Sequence, residues 1–158
     1  MRSRNPLILL IADGEEETRI RWTRMAEANS QNLELHFVHD GEQLLQFLHR
    51  QGEYAELTTA PHLVLMSWTP STPGTKDALL AMKLDPQLKF LPTIVLVENG
   101  DAREMIEAYQ LGAASCCALP TTDVDVAEFF GAVRGFWGEF VRFPVGLSRA
   151  GQHPVHGR

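Results

Sequence analysis

Two residues of this chain stand where side chains most often do chemistry, each just past a short apolar run. Asp13 follows Leu7-Ile8-Leu9-Leu10-Ile11-Ala12, and Ser67 follows Pro61-His62-Leu63-Val64-Leu65-Met66. A carboxylate can hold a hard cation such as Mg²⁺, which takes one or two carboxylates and keeps several waters. A serine hydroxyl becomes a nucleophile only when an adjacent base activates it. From sequence, Ser67 has no such base, since His62 begins the same strand at its other end. One carboxylate and one serine make a weak metal site, so Asp13 reads as a solvated or helix-capping acid. Trp68, next in sequence, reads as a partly exposed lid beside these two, with a partner-binding anchor as the sharper alternative.

The other reactive side chains add little. Cys116 and Cys117 are adjacent, a spacing that neither bridges readily nor ligates a metal, and they read as reduced core cysteines. The histidines (His36, His39, His49, His62, His153, His156) show no ligand spacing.

The elements that must position Asp13 and Ser67 follow from the pattern of apolar residues. Apolar runs and helical stretches alternate five times. The strands are Leu7–Ala12, Leu33–Val38, Leu63–Met66, Thr93–Val97 and Ala113–Leu119. The second alternates apolar and polar residues, as an edge strand with one wet face does; the third is apolar on both faces and therefore central. Helices are expected from Glu15 to about Asn29, after Asp40-Gly41, from the turn-rich Thr69–Thr75 through Leu84, and over Asp101–Leu111 with Ala102, Met105, Ile106 and Tyr109 as its apolar stripe. The last helix runs from Asp123 to about Phe143. Five β-then-α units specify a doubly wound parallel sheet, and strand order 2-1-3-4-5 is its common form. Asp13 and Ser67 should then meet in the crevice at the carboxyl ends of strands one and three.

Composition bounds the rest. The chain has 158 residues, is 44% apolar and carries a formal net charge of −6. That length makes one domain with a sizeable core, here placed over residues 1–144, with 145–158 as a polar, mobile tail. The negative balance argues against nucleic acid as partner, because phosphate binding wants a basic face. No apolar run approaches the ~20 residues of a membrane span. The chain reads as a cytoplasmic protein.

The runs Ile8–Asp13, Pro61–Ser67 and Leu91–Val97, with Tyr109-Gln110-Leu111-Gly112-Ala113, resemble the receiver domain of two-component response regulators. Gln51–Tyr54, Phe136-Trp137 and Phe143-Pro144 are similar to segments of the small stand-alone receivers associated with phytochromes. The resemblance implies a flavodoxin-like receiver fold. It also implies a phosphorylation site of five groups: two acids for Mg²⁺, an acceptor aspartate, a hydroxyl after strand four and a lysine after strand five. Phosphoryl transfer is mostly positioning and charge neutralisation, which explains that choice of groups. Matched residue by residue, most of the set is missing. Ala12 stands in place of the first acid, and only Asp13 remains. Ser67 occupies the acceptor position, Val97 the hydroxyl position and Leu119 the lysine position. Cys116 falls at the aromatic switch position, and Pro73-Gly74 replaces the usual Asp-Gly turn.

The resemblance therefore implies a degenerate receiver in phosphorelay signalling that is not an enzyme, is not phosphorylated, binds Mg²⁺ weakly or not at all and acts by protein contact. A sensor histidine kinase or another signalling protein is the partner class implied. A homodimer through the last helix is expected as well. The apolar positions of that helix cover an arc of about 160°, against roughly 100° for a one-sided surface helix. Tyr109, Phe136, Trp137 and Phe140 are the interface candidates. The alternative reading is a small-ligand binding module that uses the vacated crevice.

Overall fold

The computed structural model describes residues 5–29 and 32–141, with the side chain of Phe140 outside the described part. The tail expected over 145–158 lies outside the described residues. The elements follow in the order β1 (Leu7–Ala12), α1 (Glu16–Ala28), β2 (Leu33–Val38), α2 (Gly41–His49), β3 (Leu63–Trp68), α3 (Thr75–Leu84), β4 (Thr93–Val97), α4 (Ala102–Gln110), β5 (Ser115–Ala118) and α5 (Asp123–Gly135). The five strands form one parallel sheet in the order β2-β1-β3-β4-β5. This is the expected topology, and right-handed crossovers account for it: helices that step toward β2 lie on one face, and those that step toward β5 lie on the other.

Each face has its own core. On one side α2, α3 and α4 set Leu44, Phe47, Leu79, Met82 and Ala108 against Leu10, Val64, Met66 and Val95. On the other, α1 and α5 set Trp22, Val126, Phe130 and Val133 against Leu9, Ile11, Leu65 and Leu96. The Trp22 and Phe130 rings meet edge to face at 5.5 Å. Strands β1, β3 and β4 are thus walled on both sides, which is why their sequences are apolar at successive positions rather than alternate ones.

Turn chemistry fixes the helix starts. The Asp40 side chain accepts from the Gln43 amide, Asp101 from the amides of Arg103 and Glu104, and Thr122 from that of Asp125. Each satisfies amides that the first turn leaves without a partner.

Three expectations need correcting. Strand β3 continues through Ser67 to Trp68, so Ser67 lies within a strand and not just past one. Helix α4 turns Ala108 inward, with Met105 beside the core, whereas Ile106 and Tyr109 are 59% and 55% exposed. The sheet of the described residues ends at the short β5 strand, so this flank of α4 lies at its edge. The last helix does not run unbroken to Phe143. α-Helix ends at Gly135, a π-helical turn spans Phe136–Phe140, and Val141 is extended. Gly135 and Gly138 bracket the change; glycine has the lowest helix propensity after proline, and the wider turn costs little there.

Candidate functional site

The crevice residues meet as the topology requires. Ser67 Oγ donates a hydrogen bond to Asp13 Oδ2 at 2.6 Å across 54 positions of sequence. Asp13 Oδ1 accepts the amide of Glu15 at 2.8 Å, and the Asp13 amide donates to the Val38 carbonyl. Asp13 is 1% exposed and Ser67 is fully buried. Of the two readings of Asp13, the solvated one fails, because an overlying loop covers it, while its Oδ1 does accept an amide at the entry to α1. The reading that no base stands near Ser67 also needs correction, since a carboxyl group touches its hydroxyl. The pair is closed to solvent.

The cover is the β3–α3 loop. Thr72, itself buried, accepts the Gly14 amide on its Oγ1 at 2.9 Å. Thr69 shares hydroxyl contacts with Ser71 and Thr72, and Thr75 Oγ1 donates to the carbonyls of Ser67 and Thr72. The loop lies so close that a Cβ on Gly14 would stand 1.9 Å from the Ser71 oxygen, and one on Gly41 2.0 Å from that of Gly74. Gly41 also donates its amide to Pro73 at 2.9 Å. Gly74 takes φ +81° at the start of α3, so the glycine of Pro73-Gly74 does serve the turn. Sequence reasoning missed the Thr72–Gly14 contact. Its only signal was a glycine opposite a run of small hydroxyl residues.

The positions matched to the hydroxyl and lysine of the resembling family are apolar and joined to each other. Val97 is fully buried, Leu119 half-buried, and the Leu119 amide donates to the Val97 carbonyl at 2.8 Å. Cys116 is half-buried, and burial pushes its thiol above the ordinary value. Tyr109 Oη accepts the Cys116 amide at 3.1 Å, so the ring lies along β5.

Trp68 is 4% exposed, which overturns its reading as a partly exposed lid. Its indole N–H donates to Met66 Sδ, and Lys76 Nζ sits 4.9 Å from the ring centroid. Lys76 also pairs with Glu107 at 3.0 Å and Glu104 at 3.4 Å. The hydrogen bond to Glu107 leads in raising its pKa above the usual lysine value. Beside this group a cavity of about 750 Å³ opens between the β3–α3 loop and the start of α4, lined by Trp68, Lys76, Asp77, Glu98, Asp101 and Glu104. Neither Asp13 nor Ser67 lines it. The open space lies next to the matched phosphorylation site and not in it, which weakens the small-ligand alternative.

Asp13 is the one acid at the matched metal position. Both Asp13 oxygens are engaged within the protein, Ala12 offers none, and the described residues contain no cluster of three metal-ligating side chains. Other histidines serve structure: His62 Nδ1 accepts the Ile8 amide, and His36 and His49 pair with Glu34 and Asp85. No helix among the described residues is long and apolar enough to cross a membrane.

The closed crevice, the sheet order and the overall chain path can be set against known proteins. A structure of the response regulator RPA3017, in red light signalling of R. palustris, superposes with a TM-score of 0.80 over 88% of this chain and 98% of that one, at 24% identity. This is the response-regulator receiver fold. The receiver fold recurs in the manganese-bound form of response regulator Rcp1, with TM-score 0.73 over 88% of this chain and 99% of that one, at 24% identity. It recurs again in the phosphorylated cyanobacterial phytochrome response regulator RcpA, with TM-score 0.75 and 20% identity over 88% and 99% of the two chains. In sequence, this receiver-fold domain is similar to response regulator Rcp1 of Synechocystis sp., 26% identical over 139 residues that span 88% of this chain and 93% of that one. No family model matches.

Proposed function

We propose that this receiver-fold domain is a signalling protein that works by protein contact and does not accept a phosphoryl group. One observation carries the reading. The residue matched to the acceptor is Ser67, whose hydroxyl is spent on Asp13 in a pair closed to solvent. Val97 and Leu119 support it, because apolar groups at those positions would leave phosphoryl charge unpaired in a buried place. A domain built this way holds one conformation at its crevice and is not an enzyme. It presents its outer surface to signalling partners of the kind response regulators meet, a sensor kinase among them. Incubation with acetyl phosphate and Mg²⁺, followed by intact mass, tests this. An unchanged mass is expected; a stoichiometric phosphoryl adduct would sink the reading.

The same reading includes a homodimer through the end of α5. Phe136 is 56% exposed, and its ring stands edge to face against Trp137 at 5.4 Å. Exposed aromatics of this size are the usual anchors of protein contact. Trp137 is partly buried against the domain's own core, and Phe129 packs on Trp22, so α1 already covers much of the wide apolar arc. That leaves Phe136, with Tyr109 as the exposed aromatic of α4, as the support for pairing. Light scattering should give twice the monomer mass, and Phe136→Asp should restore the monomer. A monomer in the unmodified chain would remove the dimer and leave the first proposal standing.

A further inference from the structure

The connection from β4 to α4 carries a dipeptide with chemistry of its own. Asn99-Gly100 is the one Asn-Gly step in the chain. An asparagine side chain is thermolabile, because its amide carbon lies within reach of the next residue's backbone nitrogen. Attack by that nitrogen closes a five-membered ring. Glycine favours the closure, since it has no Cβ to crowd the ring and its backbone turns freely.

The other steps able to form such a ring are blocked. Asn5 precedes Pro6, which has no N–H to supply the nucleophile. Asn29 and Asn32 precede Ser30 and Leu33, whose side chains crowd the closure, and the Asn29 side-chain amide donates to the Met25 carbonyl at 2.8 Å. Asp13-Gly14 and Asp40-Gly41 could close the same ring with loss of water, but hydrogen bonds hold both. Their carboxylates accept the amides of Glu15 and Gln43. Their glycine amides donate to Thr72 Oγ1 and to the Pro73 carbonyl, each at 2.9 Å.

Asn99 has no such lock. It is exposed, and among the described residues its side-chain amide makes no hydrogen bond. It stands at φ +53°, a region sparsely populated by residues with a Cβ. Gly100 follows at φ +60°, and a Cβ built there would meet nothing nearer than 3.9 Å, so a planar ring has room. We propose that Asn99 is a self-modification site that deamidates through Gly100. The Gly100 nitrogen gives its proton to hydroxide and bonds to Asn99 Cγ. The Cγ–Nδ2 bond breaks, and the nitrogen takes up a proton from water and leaves as ammonia. Water then adds to either ring carbonyl and opens the ring, to aspartate at one and to isoaspartate at the other. The net change is one water consumed and one ammonia released, with no oxidant, metal or second enzyme. Asn99 lines the cavity beside Lys76, and the product adds a fifth carboxylate to those of Asp77, Glu98, Asp101 and Glu104. The surface next to the matched phosphorylation site thereby gains a fixed negative charge without a phosphoryl donor. The inference holds whether or not Ser67 accepts a phosphoryl group.

Peptide mapping by mass spectrometry, after prolonged incubation of the full chain in mildly alkaline buffer, tests this. The peptide with Asn99 should gain about 1 Da, one NH₂ exchanged for one OH, and separate into aspartate and isoaspartate forms. Conversion there should run about tenfold or more ahead of Asn29 and Asn32, which lack a following glycine. Asp13 and Asp40 should stay free of isoaspartate. Asn99→Gln should abolish the gain, because its longer side chain must close a six-membered ring. Incubation in heavy-oxygen water marks the new carboxylate and separates conversion during the experiment from any present at its start. An intact Asn99, an equal rate at Asn29 or Asn32, or isoaspartate forming first at Asp13 or Asp40 would overturn the proposal.

Discussion

Ser67 Oγ lies 2.6 Å from Asp13 Oδ2, and neither residue is open to solvent. The bond ties β3 to the end of β1 at the point where a doubly wound sheet places its ligand crevice. Its burial makes it a structural bond, and removing one partner strands the other. Ser67→Ala should cost about 1–3 kcal/mol, the price of a buried polar atom left unsatisfied. Denaturant titration checks this, and an unchanged midpoint would mean that Asp13 finds another partner.

The glycines separate a tight place from an open one. Gly14→Ala drives a methyl group into the Ser71 carbonyl, and backbone on both sides must give way. A loss of about 1–3 kcal/mol is expected, as for overpacking. Gly135→Ala meets nothing within 4 Å at helical dihedral angles, so it should gain up to about 1 kcal/mol through helix propensity. Thermal melts of the two variants should shift in opposite directions.

Added Mg²⁺ should leave the melting temperature in place. A ligand that binds only the native state raises stability by mass action, and here Asp13 is a lone buried acid whose two oxygens each already accept a hydrogen bond. Scanning fluorimetry with and without Mg²⁺ reads this directly, and a rise of several degrees would contradict the proposed loss of the metal site.

The Lys76 network sets an alkaline limit. The folded state holds this ammonium group above its ordinary pKa through Glu107 first, then Glu104. The folded protein thus keeps the proton longer than the unfolded chain does. The contribution is complete below the unfolded lysine value of 10.5 and fades as pH rises through the raised folded value. The side chain is 43% exposed, so the effect is small and salt-sensitive. Lys76→Met should lose a little stability at neutral pH and flatten the fall above pH 10.5. Parallel alkaline melts of the two proteins give the comparison.

Lys83 behaves in the opposite sense. Its stem passes under Gly112, and its ammonium group donates to the Lys89 carbonyl, with burial holding its pKa below the ordinary value. Here the unfolded chain binds the proton more tightly, so stability rises as pH climbs from the lowered value toward 10.5. Lys83→Met should remove that rise, and it should not weaken the protein at neutral pH. A destabilised Lys83→Met variant would show that the bond to Lys89 outweighs burial.

The sequence by itself determined the sheet order, the central place of β3 and the meeting of Asp13 with Ser67. Those follow from runs of apolar residues, whose period and spacing are local, and from a chirality rule that leaves few ways to connect them. It also determined which side chains stand at the positions of the resembling family's site. Whether those positions lie open was decided by the β3–α3 loop, whose contacts with Gly14 and Gly41 join residues far apart in sequence. No periodicity reports such a contact, so Asp13 read as a solvated or helix-capping acid and Trp68 as a partly exposed lid. The α4 stripe failed for a related reason. Ile106 and Tyr109 have the spacing of an inward face, but the sheet of the described residues ends at β5, where Tyr109 lies half-exposed along the edge and Ile106 stays exposed. Local pattern tells which residues could be buried; the edges of the sheet and the path of one loop decide which ones are.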